Sequence, residues 1–278
     1  MDSIGIRCLL KKSINKDGSA KLKSQVKLII LKFLKSVLPI VRISRNLSKI
    51  SRKIAYQAHR IQMFLEWTTD NPEHFDHNID LYYKWRRDQQ SFPMERGVWS
   101  SLALRGDGNT LDLCSGDGFY SFYFYSSKSQ QITAIDFDPK AIQAGKQNFS
   151  LTNIKYVLGD IRKDIPAGPF DNIVWDAAIE HFTENEIVSL MTRIKTVLTP
   201  SGILSGYTII EDHAHDQKRL HQHEYEFHSK EDLARFLTPY FKNVMVAQTT
   251  FEERENLYFY ASDELLPFEG PNFLITHQ

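Results

Sequence analysis

The chain has 278 residues, of which 42% are hydrophobic and 24% charged, and its formal net charge is zero. This composition is typical of one large globular domain, or of one domain with an appendage. Two cysteines, Cys8 and Cys114, exclude a disulfide framework and a thiolate zinc site, so a reducing, cytoplasmic setting is expected. No apolar run reaches the roughly 18 residues of a membrane-spanning helix. Lysines also interrupt the N-terminal apolar runs that a signal peptide would need.

The zero net charge conceals a basic N-terminal arm. Residues 1–62 contain 15 lysines and arginines but only two acids, and the remainder of the chain is correspondingly acidic. Within the arm, residues 27–41 are rich in Leu, Ile and Val. On a helical wheel, one side of this segment collects Lys27, Lys32, Lys35 and Ser36. The pattern predicts a basic amphipathic helix on a membrane surface, with nucleic-acid binding, a structural helix or a loose tail as alternatives.

From residue 110 onward, strand-like and helix-like segments alternate. Buried strands are predicted at residues 110–114, 131–137, 154–160, 171–177 and 202–210. Helices are predicted at 138–149, 183–198 and 229–237. Asp138 followed by Pro139 is a helix start signal, and Thr183 with Glu186 forms a capping box. Residues 119–127 are ambiguous, because their aromatics suit a strand whereas a parallel crossover requires a helix.

This alternation indicates an α/β fold with a Rossmann-like, mostly parallel seven-stranded sheet and helices on both faces. Two final strands without an intervening helix predict a C-terminal antiparallel hairpin at one edge. We therefore predict three regions: a basic helical extension (1–62), an aromatic-rich helical cover (63–105) and the α/β domain (106–278).

The stretch "LDLCSGDGFY" (111–120) forms the end of the first strand and the turn after it. Ligands of open α/β sheets bind at the carboxyl ends of strands. Gly116 and Gly118 allow the backbone to pass close to a ligand, and the following helix points its N–H groups at it. Asp136 ends the next strand at the spacing of a carboxylate that accepts ribose hydroxyls, and Asp160 ends the third strand.

The turn does not suit a dinucleotide. Ser121 stands where a nicotinamide-binding fingerprint has its third glycine. Asp112 and Asp117 would repel a pyrophosphate and instead favour a ligand that carries positive charge. A nucleoside with an ammonium and a sulfonium group, S-adenosylmethionine, meets that requirement.

Residues 106–210 resemble the class I S-adenosylmethionine-dependent methyltransferases. "LDLCSGDG" is similar to their first motif and "AIDFDPKAI" to their second. "VLGDI", "FDNIVWDAAIEHF" and "IKTVLTPSGIL" are similar to the third, fourth and post-fourth motifs. Cys114 stands where the first motif usually has its first glycine, and we expect this difference to change the packing modestly. Ser201, which also replaces a glycine, is a lesser departure.

The resemblance implies S-adenosyl-L-methionine as the cofactor. Asp112 would lie beside its methionine end, Asp136 would take the ribose hydroxyls and Asp160 would accept from the adenine amino group. The full set of cofactor-binding residues that the resemblance implies is Asp112, Cys114, Gly116, Gly118, Asp136, Phe137, Asp160, Ile161 and Asp176.

An alcohol acceptor needs a base near neutral pKa. His181, after the fourth strand, is the first candidate, and His223 and Glu224, after the fifth, are the next. A histidine bonded to a loop carbonyl is the alternative reading. Asp176, Glu180, His181 and a histidine from 213–223 could together hold a divalent ion, but their spacing is loose, and we predict no metal.

Motifs that the chain lacks reduce the range of possible acceptors. The chain has "WDAAIEHF" where amino-methyltransferases of DNA bases have Asn/Asp-Pro-Pro-aromatic, and neither cysteine suits C5-cytosine chemistry. We expect methylation of a hydroxyl on a small-molecule or glycosyl acceptor, with the arm tethering the protein to the inner membrane surface. The alternatives are N-methylation of a small amine and a non-catalytic S-adenosylmethionine-binding partner protein.

Overall fold

The computed structural model describes residues 38–67, 92–210, 223–251 and 254–268, together with Lys27 and Lys32. The chain divides into two compact units, residues 1–70 and 71–278. Helix α1 (Leu38–Trp67) belongs to the first unit. The proposed boundary after residue 62 therefore falls inside a helix, because the apolar helical period continues to Phe64.

Helix α1 carries a row of apolar side chains that are exposed to solvent. They are Ile43, Leu47, Ile50, Ile54, Ile61, Phe64 and Leu65. Most of the segment 27–41 lies outside the described residues, although Lys27 and Lys32 are helical and exposed. Across the described ranges, no helix is both long and apolar enough to span a bilayer.

The second unit is built on one seven-stranded sheet. Its strands are β1 (Gly108–Leu113), β2 (Ser129–Asp136), β3 (Ile154–Leu158), β4 (Phe170–Asp176), β5 (Leu198–Ile210), β6 (Asn243–Phe251) and β7 (Arg254–Ser262). Their spatial order is β3-β2-β1-β4-β5-β7-β6. The first five strands pair in parallel, whereas β7 pairs antiparallel with β5 and with β6. The predicted fold class and the C-terminal hairpin are confirmed.

Within the described part of the second unit, four α-helices pack around this sheet. They are α2 (Phe92–Ser101), α3 (Pro139–Asn148), α4 (Glu184–Val197) and α5 (Lys230–Leu237). Helices α4 and α5 bury apolar side chains in the core on one face of the sheet, and α3 does so on the other. The predicted caps form: Asp138 accepts from the Lys140 N–H at 2.8 Å, and Thr183 and Glu186 make both bonds of a capping box.

The ambiguous aromatic segment is helical. A π-helical turn covers Ser121–Tyr125, and a 3-10 turn covers Ser126–Lys128. These short turns carry the chain from β1 to the parallel neighbour β2, as a crossover requires. Phe119 and Tyr125 are buried in the core on the α3 face, which explains the aromatic content of the segment.

Helix α2 packs on the sheet opposite α4 and α5. The Trp99 ring stacks on Tyr258 with 5.3 Å between centroids, and the Tyr260 hydroxyl donates to the Trp99 carbonyl at 2.7 Å. Ser205 of β5 donates to the Ser100 carbonyl at 3.1 Å. Residues 92–101 of the predicted cover are thus helical and contact the sheet, whereas residues 68–91 lie outside the described residues.

Candidate active site

The candidate site lies where the strand order reverses. The chain runs outward from β1 to β2 and β3 and then returns to place β4 on the other side of β1. Because β1 pairs in parallel with both β2 and β4, the carboxyl ends of these strands meet at one edge. A crevice at such a switch point is where open α/β sheets bind ligands.

The turn after β1 has a left-handed backbone at three positions. The φ angles are 56° at Cys114, 56° at Gly116 and 78° at Gly118. A Cβ on Gly118 would also lie 2.3 Å from the Tyr156 hydroxyl oxygen, so the close approach requires glycine there. Cys114 keeps the left-handed conformation that a glycine adopts freely, at a cost of about 1–2 kcal/mol. The departure at Cys114 thus affects the backbone rather than packing alone.

Asp136 links this turn to the start of α3. One carboxylate oxygen accepts from the Gly116 N–H at 2.9 Å, and the other accepts from the Asp138 N–H at 2.8 Å. Each carboxylate oxygen can accept a second hydrogen bond. Asp136 is therefore held in a fixed orientation and keeps acceptor capacity for ligand hydroxyls.

Asp112 is buried at the end of β1. Its carboxylate accepts from the Ser121 hydroxyl at 2.6 Å. Burial raises the pKa of Asp112 to about 7, although the Ser121 hydrogen bond opposes that shift, and the charge of Asp176 adds to it. A cation placed beside Asp112 would stabilise its ionised form, which is the property expected of a partner for an ammonium group.

Asp160 and its neighbours lie at the end of β3. The Arg162 guanidinium donates to both oxygens of Asp160, at 2.9 and 3.1 Å, and these hydrogen bonds lower the pKa of that carboxyl. The pair is partly exposed, so it contributes little to stability. Ile161 is buried behind Asp160, and Phe137, which follows β2, has 66% of its surface exposed.

Asp176 at the end of β4 has several protein partners. It accepts from Arg96 Nε at 2.8 Å, from the Ser100 hydroxyl at 2.9 Å and from the Tyr125 hydroxyl at 3.3 Å. The Arg96 guanidinium also lies 4.4 Å from the centre of the Tyr120 ring. Asp176 thus anchors helix α2 to the sheet, and its contact with a cofactor stays a prediction.

Arg96 is not among the site residues predicted from the sequence. A carboxylate at the end of a fully buried strand needs a cationic partner, and that need is the signal that could have revealed Arg96. The partner lies 80 residues away on α2, in the stretch "MERGVW".

Negative charge converges on the turn. Burial first, and then the charges of nearby carboxylates, raise the pKa of the Cys114 thiol well above its usual value. The carboxylates that act on it come from four strand ends: Asp136, Asp112, Asp160 and Glu180. Such a field favours a cationic ligand and disfavours a pyrophosphate.

A second group of side chains follows β4 and β5. Glu180, His181 and His223 each place one nitrogen or carboxylate oxygen within 4.8 Å of the others. The two imidazole rings are 5.0 Å apart between centroids, at an angle of 76°. The structure therefore brings the first two base candidates together. The Glu224 side chain is exposed, and the other histidines of 213–222 lie outside the described residues.

The turn fits a nucleoside cofactor that carries positive charge. The groups available to a ligand are the hydrogen-bonded carboxylates of Asp112, Asp136 and Asp160, together with the exposed ring of Phe137. In addition, the Ser115 hydroxyl oxygen is buried and has no hydrogen-bond partner within the described part of the chain. A buried hydroxyl without a partner is costly in a finished structure and is satisfied when a ligand supplies one.

Known proteins resemble this chain in sequence and in fold. A family model described as a methyltransferase domain matches residues 110–202. An uncharacterised methyltransferase of Synechocystis sp. is 29% identical over 107 residues, which cover 38% of this chain and 49% of that protein. The match thus spans about half the length of that curated relative.

Among solved structures, the N-methyltransferase NodS of Bradyrhizobium japonicum WM9 has a TM-score of 0.51 and 19% identity, covering 63% of this chain and 97% of NodS. NodS in complex with S-adenosyl-L-homocysteine gives a TM-score of 0.50 and 21% identity, covering 65% of this chain and 92% of that one. These structural matches show a shared fold. The matched family model confirms the resemblance seen in the motifs: residues 110–202 are a methyltransferase domain of the kind that uses S-adenosyl-L-methionine as its cofactor.

Proposed function

We propose that the chain transfers the methyl group of S-adenosyl-L-methionine to a hydroxyl of a small-molecule or glycosyl acceptor. The observation that carries this proposal is the position of the Glu180, His181 and His223 cluster, whose carboxylate acts electrostatically on the same turn as Asp112 and Asp136. The carboxylates proposed to bind a cationic nucleoside and the side chains proposed to accept a proton therefore lie at one edge of the sheet.

The cofactor, when bound, supplies a methyl group on a sulfonium centre. In this proposal the chain's carboxylates hold it: Asp136 takes the ribose hydroxyls, Asp112 faces the ammonium, and Asp160 accepts from the adenine amino group. Phe137 lies against the adenine. Methyl transfer is a displacement at carbon, so alignment of the acceptor with the sulfonium provides most of the rate enhancement.

An alcohol keeps its proton at neutral pH, so the proton must be removed as the oxygen attacks. We propose that this happens at the cluster of Glu180, His181 and His223. His181 is half-buried, which leaves it accessible to an acceptor, whereas His223 is buried. Glu224 stays the weaker candidate because its side chain is exposed and its backbone N–H, rather than its carboxylate, contacts the cluster.

Two alternatives make different predictions about the product. N-methylation of a small amine would give a methylamine product, and the fold shared with NodS does not decide between oxygen and nitrogen. A non-catalytic partner protein would bind the cofactor without turnover. Incubation of the protein with methyl-labelled cofactor and fractionated cell extract separates all three, since the labelled product is an ether or ester, an amine, or absent.

We also propose that α1 binds an anionic membrane surface on the cytoplasmic side. The support is the pairing of an exposed apolar row at Leu47, Ile50 and Ile54 with basic side chains on the same helix. Interfacial helices combine these two features. The basic residues of α1 are Arg42, Arg45, Lys49, Arg52, Lys53 and Arg60.

Asp136→Ala should weaken the binding of S-adenosylhomocysteine by about tenfold to a hundredfold, because a charged acceptor of hydrogen bonds contributes about 1.5–3 kcal/mol. The measurement is calorimetric titration, with the melting temperature recorded in parallel. Asp138→Ala is the matched control, since it also removes a carboxylate bond to a backbone N–H but lies at the cap of α3. Wild-type affinity in a folded Asp136→Ala protein would refute the ribose assignment.

His181→Ala should lower turnover by about 10²- to 10⁴-fold, the usual contribution of a group that assists proton transfer. Its affinity for S-adenosylhomocysteine should stay at the wild-type value. Turnover is measured with the extract fraction that accepts label from the wild type. His228→Ala, which changes an exposed histidine of the same region, should leave turnover unchanged. Unaltered turnover in His181→Ala would exclude a role for this side chain in proton removal.

The triple change Leu47→Ser, Ile50→Ser and Ile54→Ser should reduce binding to phosphatidylglycerol vesicles at least tenfold with every charge kept. The reason is the loss of apolar side chains that would enter the acyl boundary. Vesicle flotation of the full chain at low and high salt is the measurement. Nucleic-acid binding would instead tolerate the triple change and depend on salt alone. The membrane proposal fails if the wild type does not float with anionic vesicles at low salt.

A further inference from the structure

The residues Glu180, His181 and His223 have the composition of a metal centre. Two imidazoles and one carboxylate lie with their ligand atoms within 4.8 Å of one another. Metal–ligand bonds of about 2.0–2.2 Å place neighbouring ligand atoms about 3–3.5 Å apart. A bound ion would therefore draw the three ligand atoms closer together, and His181, which is half-buried, lies on a short turn (Ile179–His181) rather than within the sheet.

The backbone holds the two parts of the cluster together. The Glu180 carbonyl accepts two hydrogen bonds, from the Glu224 N–H at 2.9 Å and from the Tyr225 N–H at 3.1 Å. The segment that carries His223 is thereby attached to the turn that carries Glu180 and His181. Backbone hydrogen bonds thus hold together the two chain segments that form the cluster. The ligands of metal centres commonly come from separate segments in this way.

The environment of Glu180 also suits a metal ligand. Its carboxylate is buried, and one oxygen accepts from the Thr208 hydroxyl at 3.0 Å. A hydrogen bond of this kind orients a ligating carboxylate. Among the described residues, no lysine or arginine forms an ion pair with Glu180. A buried carboxylate without a cationic side chain is stabilised when a metal ion supplies the charge.

We propose that Glu180, His181 and His223 bind one divalent first-row transition-metal ion, which in turn binds the acceptor. Two imidazoles with one carboxylate favour such an ion over Mg²⁺ or Ca²⁺, which prefer oxygen ligands. Three protein ligands leave coordination positions open, as catalytic metal centres require. This inference rests on the proposed function, because the ion acts on the acceptor of that reaction. It also replaces the prediction of no bound metal, which came from the loose spacing of these residues in the sequence.

The ion changes how the acceptor loses its proton. A hydroxyl oxygen bound to the ion has a lowered pKa, so the O–H bond breaks and the proton passes to solvent water. The oxygen lone pair then forms the bond to the methyl carbon. The bond between that carbon and sulfur breaks, its electron pair stays on sulfur, and neutral S-adenosylhomocysteine leaves. His181 acts in this scheme as a ligand rather than as a general base.

The test uses the full chain after treatment with a chelator and dialysis, with Co²⁺ as the probe. Wild type should bind one equivalent of Co²⁺, seen as visible absorption that Zn²⁺ abolishes by displacement. Glu180→Gln, His181→Ala and His223→Ala should each weaken Co²⁺ binding at least tenfold, whereas His228→Ala should bind as the wild type does. Glu180→Gln is nearly isosteric, and melting temperatures verify that each variant is folded.

Two further measurements separate this inference from the proposed function. Asp136→Ala should lose affinity for S-adenosylhomocysteine but bind Co²⁺ normally, and His223→Ala should show the reverse. Chelation should abolish turnover of the wild type, and Co²⁺ should restore it. Wild-type protein that binds S-adenosylhomocysteine but no Co²⁺, or Co²⁺ binding that survives all three substitutions, overturns the metal site alone. Protein that binds Co²⁺ but no S-adenosylhomocysteine instead contradicts the proposed function.

Discussion

Parallel strands that end at one edge of a sheet bring carboxylates from distant parts of the sequence into one small volume. Asp112 and Asp136 lie at the carboxyl ends of two such strands, and Asp160 and Glu180 follow two others. Neighbouring like charges and burial both oppose ionisation, and Asp112 shows the result in a pKa of about 7. Asp136 accepts hydrogen bonds from two backbone N–H groups at this edge. The arrangement is therefore most stable when a ligand contributes positive charge, and the cofactor's cationic groups meet that need.

The charge of Arg96 opposes the rise in the pKa of Asp112 but does not cancel it. Arg96 is committed to Asp176, with its guanidinium over the Tyr120 ring. Removing one partner of a buried ion pair costs about 3–5 kcal/mol, so this interaction fixes helix α2 on the sheet beside the site. Asp176 is thus occupied by protein partners on α2, and we propose that the other carboxylates at this edge contact the ligand.

Local signals predicted the parts of the fold that depend on neighbouring residues. Asp138 with Pro139 marked the start of α3, and Thr183 with Glu186 marked the start of α4, because caps act within one helical turn. The alternation of strands and helices then predicted the sheet and its carboxyl edge. The turn residues and the acidic strand ends were predictable for the same reason, since spacing along the chain places them there.

Tertiary interactions account for what the sequence did not predict. Arg96 and Asp176 are 80 residues apart, and no local pattern links them. His181 and His223 were separate base candidates, because their contact depends on the two backbone bonds to the Glu180 carbonyl. The Cys114 backbone is left-handed although cysteine has no preference for that conformation, so residue type alone does not predict it.

We expect the edge of the sheet to select a nucleoside with positive charge over a dinucleotide with a pyrophosphate. The most direct measurement is calorimetric titration of the full-length wild type with S-adenosylmethionine and, separately, with NAD⁺, at the same pH and salt. The acidic turn should give saturable binding of one equivalent of S-adenosylmethionine and no binding of NAD⁺ at the same concentration. Saturable binding of NAD⁺ together with no heat from S-adenosylmethionine would contradict it.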